Sequence, residues 1–189
     1  VSGWLMCTDN MPSGSAYKLG DVLTTRSGKT IEVKNTDAEG RLVMSDAMTM
    51  ANEDNVDAII DIATLTGAAL MALGQLTAPV FGNDQALVDQ VTKASAATGE
   101  QVWQLPLERK YRAQLDSDIA DISNLGGKYA GATTAALFLA EFVGDTPWAH
   151  QDIAGTMQSD TDDSWRSKGA TGFGARTLIE VARNFRPTR

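Results

Sequence analysis

The run Ala58-Ile59-Ile60-Asp61-Ile62-Ala63-Thr64-Leu65 constrains the fold more than any other stretch of the chain. It is almost continuously apolar and too short for a buried helix, the pattern of a central strand covered on both faces. Such a strand needs helices on either side, and its neighbours supply them. Gly67 to Leu73 reads as a short helix ended by Gly74, and Ala78 to Phe81 as a further strand. Gln85 to Ala97 reads as a helix led by Asn83-Asp84 and stopped by Gly99. Leu107 to Leu115 is predicted helical after Pro106, and Gly131 to Phe142 forms an apolar helix beyond the Gly126-Gly127 break. Trp148 to Ala154 is a predicted strand, and Gln158 to Lys168 a polar loop. A last helix spans Gly172 to Asn184, with Phe173, Leu178, Ile179 and Val181 inward. Strands alternating with helices predict an α/β fold: a mixed, largely parallel β-sheet sandwiched between helices.

The first part of the chain reads differently. Val1 to Cys7 is strand-like, and its apolar Trp4-Leu5-Met6-Cys7 predicts a buried, unreactive thiol. Asn10 to Ser15 is a turn or loop by its Pro, Gly and Ser content. Asp21 to Thr25 and Thr30 to Lys34 flank Arg26-Ser27-Gly28-Lys29 and read as a β-hairpin. A helix follows from about Leu42 to Glu53, with Val43, Ala47, Met50 and Ala51 as its buried stripe. Met44, Met48 and Met50 are read as packing residues. No repeat or linker interrupts the 189 residues, which suffice for one core and read as one piece of one domain.

Composition removes several function classes. The net charge of −8 and pI near 4.6 give no general attraction to nucleic acid or acidic membrane. Arg176, Arg183, Arg186 and Arg189 near the C-terminus read as a solvated helix face. A single cysteine excludes an internal disulfide and fits a reducing compartment. No stretch reaches the roughly 20 apolar residues of a membrane helix, and no basic-then-apolar leader opens the chain, so a soluble, cytoplasmic protein is expected. Val1 is not an initiator methionine, so the numbering starts inside a longer protein or the chain was cut there. The only histidine, His150, lies within a predicted strand and is read as a structural hydrogen-bonding residue. No Gly-x-Ser-x-Gly elbow and no Gly-Lys-Ser/Thr phosphate loop is present.

Chemistry gathers instead in Asn35-Thr36-Asp37-Ala38-Glu39-Gly40-Arg41-Leu42. Asp37, Glu39 and Arg41 are spaced by two, so an extended segment would turn all three to one side. Converging carboxylates repel unless a cation or a shared proton lies between them. Arginine can supply that charge; a divalent metal supplies it with oxygen coordination. Gly40 would permit the turn from strand end into helix, and open α/β sheets hold their ligands at strand ends. By spacing alone, a salt-bridged row on an exposed strand is the favoured reading.

The whole string decides between these readings. Residue for residue it resembles the signature of the leucyl aminopeptidase (cytosol aminopeptidase) family, and the resemblance extends across nearly the whole chain. Asn10-Met11-Pro12-Ser13-Gly14 and Gly20-Asp21 resemble the approach to the signature, and Gly28 to Val33 its hairpin. Ala63-Thr64-Leu65-Thr66-Gly67-Ala68 resembles the substrate-contacting strand end, Asp152-Ile153-Ala154-Gly155 another pocket wall, and Lys168 to Gly172 the segment before the last helix. Asp9 and Leu19 depart from the family's usual Glu and Pro, at positions that are not known ligands. The resemblance implies a two-metal aminopeptidase acting on peptide substrates with two divalent ions: zinc, manganese or magnesium. Asp37 would bind one metal through its carboxylate and its carbonyl, and Glu39 would bridge both. Arg41 would hold a bicarbonate ion that takes a proton from the metal-bridging water. Backbone groups of Leu65 and Gly67 would align the peptide, while Thr64, Gly67, Ala154 and Met157 would line a small apolar pocket for a leucine-like side chain.

The resemblance also implies parts that the 189 residues do not contain. A lysine and two aspartates that complete the metal site, and a second lysine that stabilises the oxyanion, belong to a preceding segment. The chain is therefore expected to be the C-terminal portion of a catalytic domain, inactive alone and with a sheet edge left open. The full-length protein is expected to be a homo-hexamer. Some bacterial members bind DNA as architectural hexamers, a role ranked below catalysis for so acidic a chain.

Overall fold

In the computed structural model, which describes residues 1–8, 11–164 and 166–188, strands and helices alternate along the chain. The order begins with β1 (Val22–Thr24), β2 (Thr30–Glu32), α1 (Glu39–Glu53), β3 (Ile59–Ala63) and α2 (Gly67–Leu73). It continues with β4 (Ala78–Gly82), α3 (Gln85–Thr98), β5 (Val102–Gln104) and a 3-10 helix (Arg109–Leu115). Then come β6 (Ile122–Ser123), α4 (Gly131–Ala140), β7 (Trp148–Asp152), β8 (Gln158–Ser159), β9 (Gly169–Ala170) and α5 (Ala175–Asn184). These elements form two units: Val1–Val56 with Glu108–Gly144, and Asp57–Leu107 with the chain from Asp145 onward. Asp9, Asn10 and Arg189, named above, lie outside the described residues.

The second unit is built on a four-stranded sheet in the order β3-β7-β4-β5. β7 runs parallel to β3, from Ile59 opposite Trp148 to Ala63 opposite Asp152. It runs antiparallel to β4, which pairs in parallel with β5. The expected mixed α/β architecture with parallel strand pairs is present. The expected centre is corrected: β7 and β4 are the interior strands, β7 buried throughout and β4 buried except at Gly82, whereas β3 takes an end position and is mostly half-buried. An apolar run reports how much surface a segment hides, not which strands flank it.

The core of this unit joins Val80, Leu87, Val88, Val91, Ala94, Ala149 and Val181, with Ile60 and Val102 packed against it. Burying a side chain of this size stabilises by about 1.5–3 kcal/mol. The sequence places α3 well. The Asp84 carboxylate accepts from Leu87 N–H (2.8 Å) at its start, and Gly99 at φ +70° ends it in the left-handed conformation. α5 begins at Ala175, later than predicted, and is tied by Glu100, a buried carboxylate accepting from Thr177 N–H (2.8 Å) and Thr177 O–H (2.7 Å). Ile179 is 60% exposed, not inward: the buried positions are Thr177 and Val181, four apart, and Ile179 faces away from both. His150 has the expected structural role. Its Nδ1 meets Asp61 Oδ1 at 2.5 Å, and its ring stacks near those of Phe81 and Trp148. The predicted polar loop carries a two-residue strand, with Gln158 opposite Ala170.

In the first unit β1 and β2 form the predicted antiparallel hairpin, and β2 pairs in parallel with β6. Eight of the residues of α4, from Ala132 to Leu139, are buried, as its continuous apolarity requires. Three expectations are corrected. Val1 to Thr8 forms no strand; Leu5 is 89% exposed and Cys7 is exposed rather than buried. Apolar composition cannot make a strand without a neighbouring edge, and here Cys7 N–H turns back to the Leu5 carbonyl (3.1 Å). The buried stripe of α1 runs through Arg41, Met44, Ser45, Met48, Thr49 and Ala51, while Met50 is exposed. The Leu107–Leu115 segment is a 3-10 helix from Arg109, started by Glu108 accepting from Lys110 N–H (3.0 Å).

Two predictions follow from this packing. A Cβ on Gly155 would overlap the Gly74 carbonyl oxygen, so Gly155→Ala is expected to destabilise by about 2–3 kcal/mol in urea unfolding. Burial would raise the Glu141 carboxyl, but hydrogen bonds from Lys29 (2.7 Å) and Arg112 (2.8 Å) outweigh it and hold the group below its ordinary value. The stability it contributes is present above the ordinary carboxyl pKa and is lost as pH falls through the lowered one. Glu141→Gln is therefore expected to lose about 1 kcal/mol at neutral pH and to flatten the acid limb of stability measured against pH.

Candidate functional site

The chain leaving β2 is held by one side chain. Asn124, directly after β6, is fully buried; its Oδ1 accepts from Lys34 N–H (2.8 Å) and Asn35 N–H (3.1 Å). Its Nδ2 donates to the Asn35 carbonyl (2.6 Å), and its own carbonyl accepts from Arg41 Nη1 (2.8 Å). Asn35 passes the order on: its Oδ1 accepts from Asp37 N–H at 2.9 Å. An Asn-to-backbone bond two residues on is a turn in itself, and it leads the chain into α1.

The turn also corrects the extended reading of the signature. Glu39 is the first residue of α1, after Ala38, and Gly40 and Arg41 lie within the helix. Glu39 and Arg41 are therefore not on one side, since two helical residues subtend about 200°. Glu39 sits in the first turn, where a carboxylate complements the helix dipole. Arg41 is 5% exposed and packs inward toward Asn124, while Asp37 is exposed in the preceding turn.

The two carboxylates nonetheless act on one place. Tyr17 O–H donates to the Thr36 carbonyl (3.0 Å), and its phenol is raised above its ordinary pKa by burial, then by Glu39, then by Asp37. Tyr17, Glu39, Leu42 and Val43 line the same cleft, together with Leu23. Glu39 Oε2 is buried and has no hydrogen-bond partner among the described residues. A desolvated carboxylate oxygen with no donor among the described residues fits a cation. Glu39 thus fits as part of a metal site, with the exposed Asp37 carboxylate two residues before it in the chain. Among the described residues they are not joined by a third His, Cys, Asp or Glu.

The other candidates lie in the second unit, around the end of β3. Thr64 and Gly67 are exposed, Leu65 and Ala154 half-buried, and Met157 exposed. Asp152, at the end of β7, gathers this segment: its Oδ1 accepts from Leu65 N–H (3.0 Å), Thr66 N–H (3.2 Å) and Ala154 N–H (3.2 Å). Its Oδ2 accepts from Thr66 O–H at 2.7 Å. Thr66 caps α2 by accepting from Ala69 N–H (3.0 Å). Met157 is fixed by its N–H to the Ile153 carbonyl and by its carbonyl to Thr171 N–H, both 2.9 Å. The structure thus brings Thr64, Leu65, Gly67 and Ala154 into one segment pair and Asp37, Glu39 and Arg41 into another.

Sequence reasoning gives no task to Tyr17 or Asn124, and takes Asp152 only as the start of a pocket wall. An acid closing a predicted strand is a signal for Asp152; Asn124 and Tyr17 carry none in the local pattern.

A sequence model of the cytosol aminopeptidase family, catalytic domain, matches residues 1–179. A probable cytosol aminopeptidase of Alkaliphilus metalliredigens is 52% identical over 176 residues, covering 93% of this chain and 35% of the relative. One of Roseiflexus castenholzii is 53% identical over 178 residues, covering 94% and 36%. One of Chlorobaculum parvum is 51% identical over 187 residues, covering 98% and 37%. The chain spans about a third of the length of these relatives.

Removing the Asn124 side chain would leave the Lys34 and Asn35 backbone groups without their buried partner. Asn124→Ala is expected to destabilise by about 3 kcal/mol in urea unfolding. It should also speed amide exchange at Lys34 and Asn35 while leaving Leu65 and Thr66 protected.

Proposed function

Since the chain belongs to the cytosol aminopeptidase family, we propose that its parent protein is a metal-dependent aminopeptidase that removes a leucine-like N-terminal residue from peptides. The observation that carries the reading is the buried Glu39 oxygen with no donor among the described residues, in the cleft that Tyr17 also lines. In this reading Asp37 and Glu39 contribute to holding two divalent ions, manganese, zinc or magnesium. Such ions polarise a peptide carbonyl and make water a stronger acid.

The remaining work falls to the chain's own groups. The Arg41 guanidinium is pinned by the Asn124 carbonyl, and fixing its plane suits it to a planar oxyanion such as bicarbonate. Bicarbonate held there would serve as the proton acceptor. Leu65 and Gly67 would engage the peptide backbone. Thr64, Ala154 and Met157 would shape the pocket for the first side chain, with Met157 as an adaptable wall.

The reading includes a homo-hexameric, cytoplasmic full-length protein. It also includes an inactive isolated chain, because two carboxylates leave most of the coordination of two ions to other ligands. No described helix is long and apolar enough to cross a membrane.

The full-length protein with added manganese is expected to hydrolyse a chromogenic leucine amide and to lose that activity to a chelator. Glu39→Ala should lower kcat/KM by roughly a thousandfold, about 4 kcal/mol of transition-state stabilisation, with folding intact by circular dichroism. Chelator-resistant turnover, or an unaffected Glu39→Ala enzyme, would refute the reading.

A further inference from the structure

We infer that Asp152 is a positioning residue that aims the backbone of residues 64–67 at a bound peptide. This rests on the peptidase reading above. Asp152 closes β7 opposite Ala63 of β3 and is wholly buried. Among the described residues its carboxylate accepts from Leu65 N–H, Thr66 N–H, Thr66 O–H and Ala154 N–H.

The consequence lies in the planarity of the trans peptide, whose N–H and C=O point in opposite directions. With Leu65 N–H turned toward Asp152, the Thr64 carbonyl must point away from it. With Thr66 N–H turned the same way, the Leu65 carbonyl must also point away. The next peptide is fixed by a different bond. The Thr66 carbonyl accepts from Ala69 N–H (3.2 Å) and so points along α2, which turns Gly67 N–H backward out of the helix start. The Thr66 hydroxyl ties the two arrangements together, donating to Asp152 Oδ2 and accepting from Ala69 N–H.

The segment therefore displays an acceptor at Leu65, directed away from the buried carboxylate, and a donor at Gly67, directed out of the start of α2. That pair complements the N–H and C=O of an extended peptide, the class of ligand an aminopeptidase takes. An N-cap alone would need only Thr66. Three further backbone donors converging on one carboxylate exceed what capping requires. The residue must also be an acid: an amide in its place would set an NH2 group against donors.

The test uses the full-length, metal-loaded protein, with Asp152→Asn and the pair Thr66→Ala and Thr66→Ser. Asp152→Asn is expected to raise KM for a leucyl dipeptide by roughly tenfold or more with a smaller change in kcat. Thr66→Ala should shift KM in the same direction, and Thr66→Ser should restore it. Unchanged KM in Asp152→Asn, or equal KM in Thr66→Ala and the wild type, would overturn the proposal. The Thr66 pair decides if Asp152→Asn does not fold. Amide exchange at Leu65 and Thr66 reads the anchoring without turnover: slow in the wild type and fast in Asp152→Asn is expected. An inactive wild type with that exchange pattern would count against the peptidase reading, whereas fast exchange in the wild type would count against the anchoring itself.

Discussion

Where β3 and β7 end side by side, at Ala63 and Asp152, a wholly buried carboxylate collects three backbone N–H groups and a hydroxyl. A charge in such a place is tolerated only when its oxygens are fully supplied with donors, and here the donors are the turn into α2 and the turn after β7. The two turns are thus ordered by one group. The sheet brings the strand ends together, and the carboxylate converts their nearness into fixed backbone directions. The close approach of Gly155 to the Gly74 carbonyl belongs to the same region, since a side chain there would force the turn after β7 away from the end of α2.

Asn124 does the same for the other unit with a neutral side chain. An amide both donates and accepts, and Asn124 uses both functions on Asn35, with the backbone of Lys34 as a further donor. An aspartate could not donate to the Asn35 carbonyl, and a leucine would leave all of these backbone groups buried without partners. The contrast between the two anchors follows from what each must satisfy. Asp152 meets donors alone, while Asn124 meets a mixture.

The elements most legible in the sequence carry their own local instructions. α3 has a capping aspartate and a terminating glycine, α2 a glycine stop, and the hairpin a turn between β-branched flanks; each appears close to where it is read. The misread elements depended on partners. Val1 to Cys7 has strand composition but no strand, β3 has a core composition but an end position, and the stripe of α1 is displaced from the one predicted. In the signature the residue types are legible, but their common side is not. The Asn35–Asp37 turn starts the helix at Glu39, three residues earlier than periodicity suggests, and rotates Arg41 toward Asn124.

By itself the sequence determined the family and the α/β alternation, because these reside in contiguous residues and local periodicity. Only the tertiary structure decided which strands are interior, that Glu39 keeps a buried oxygen with no donor among the described residues, and that Asn124 and Asp152 hold the backbone on which the candidate residues sit. Asn124 lies 89 positions from Asn35 and Asp152 lies 87 from Leu65, separations that the chain closes only by folding. Burial and hydrogen-bond satisfaction are properties of that closure, and no window of neighbouring residues contains them.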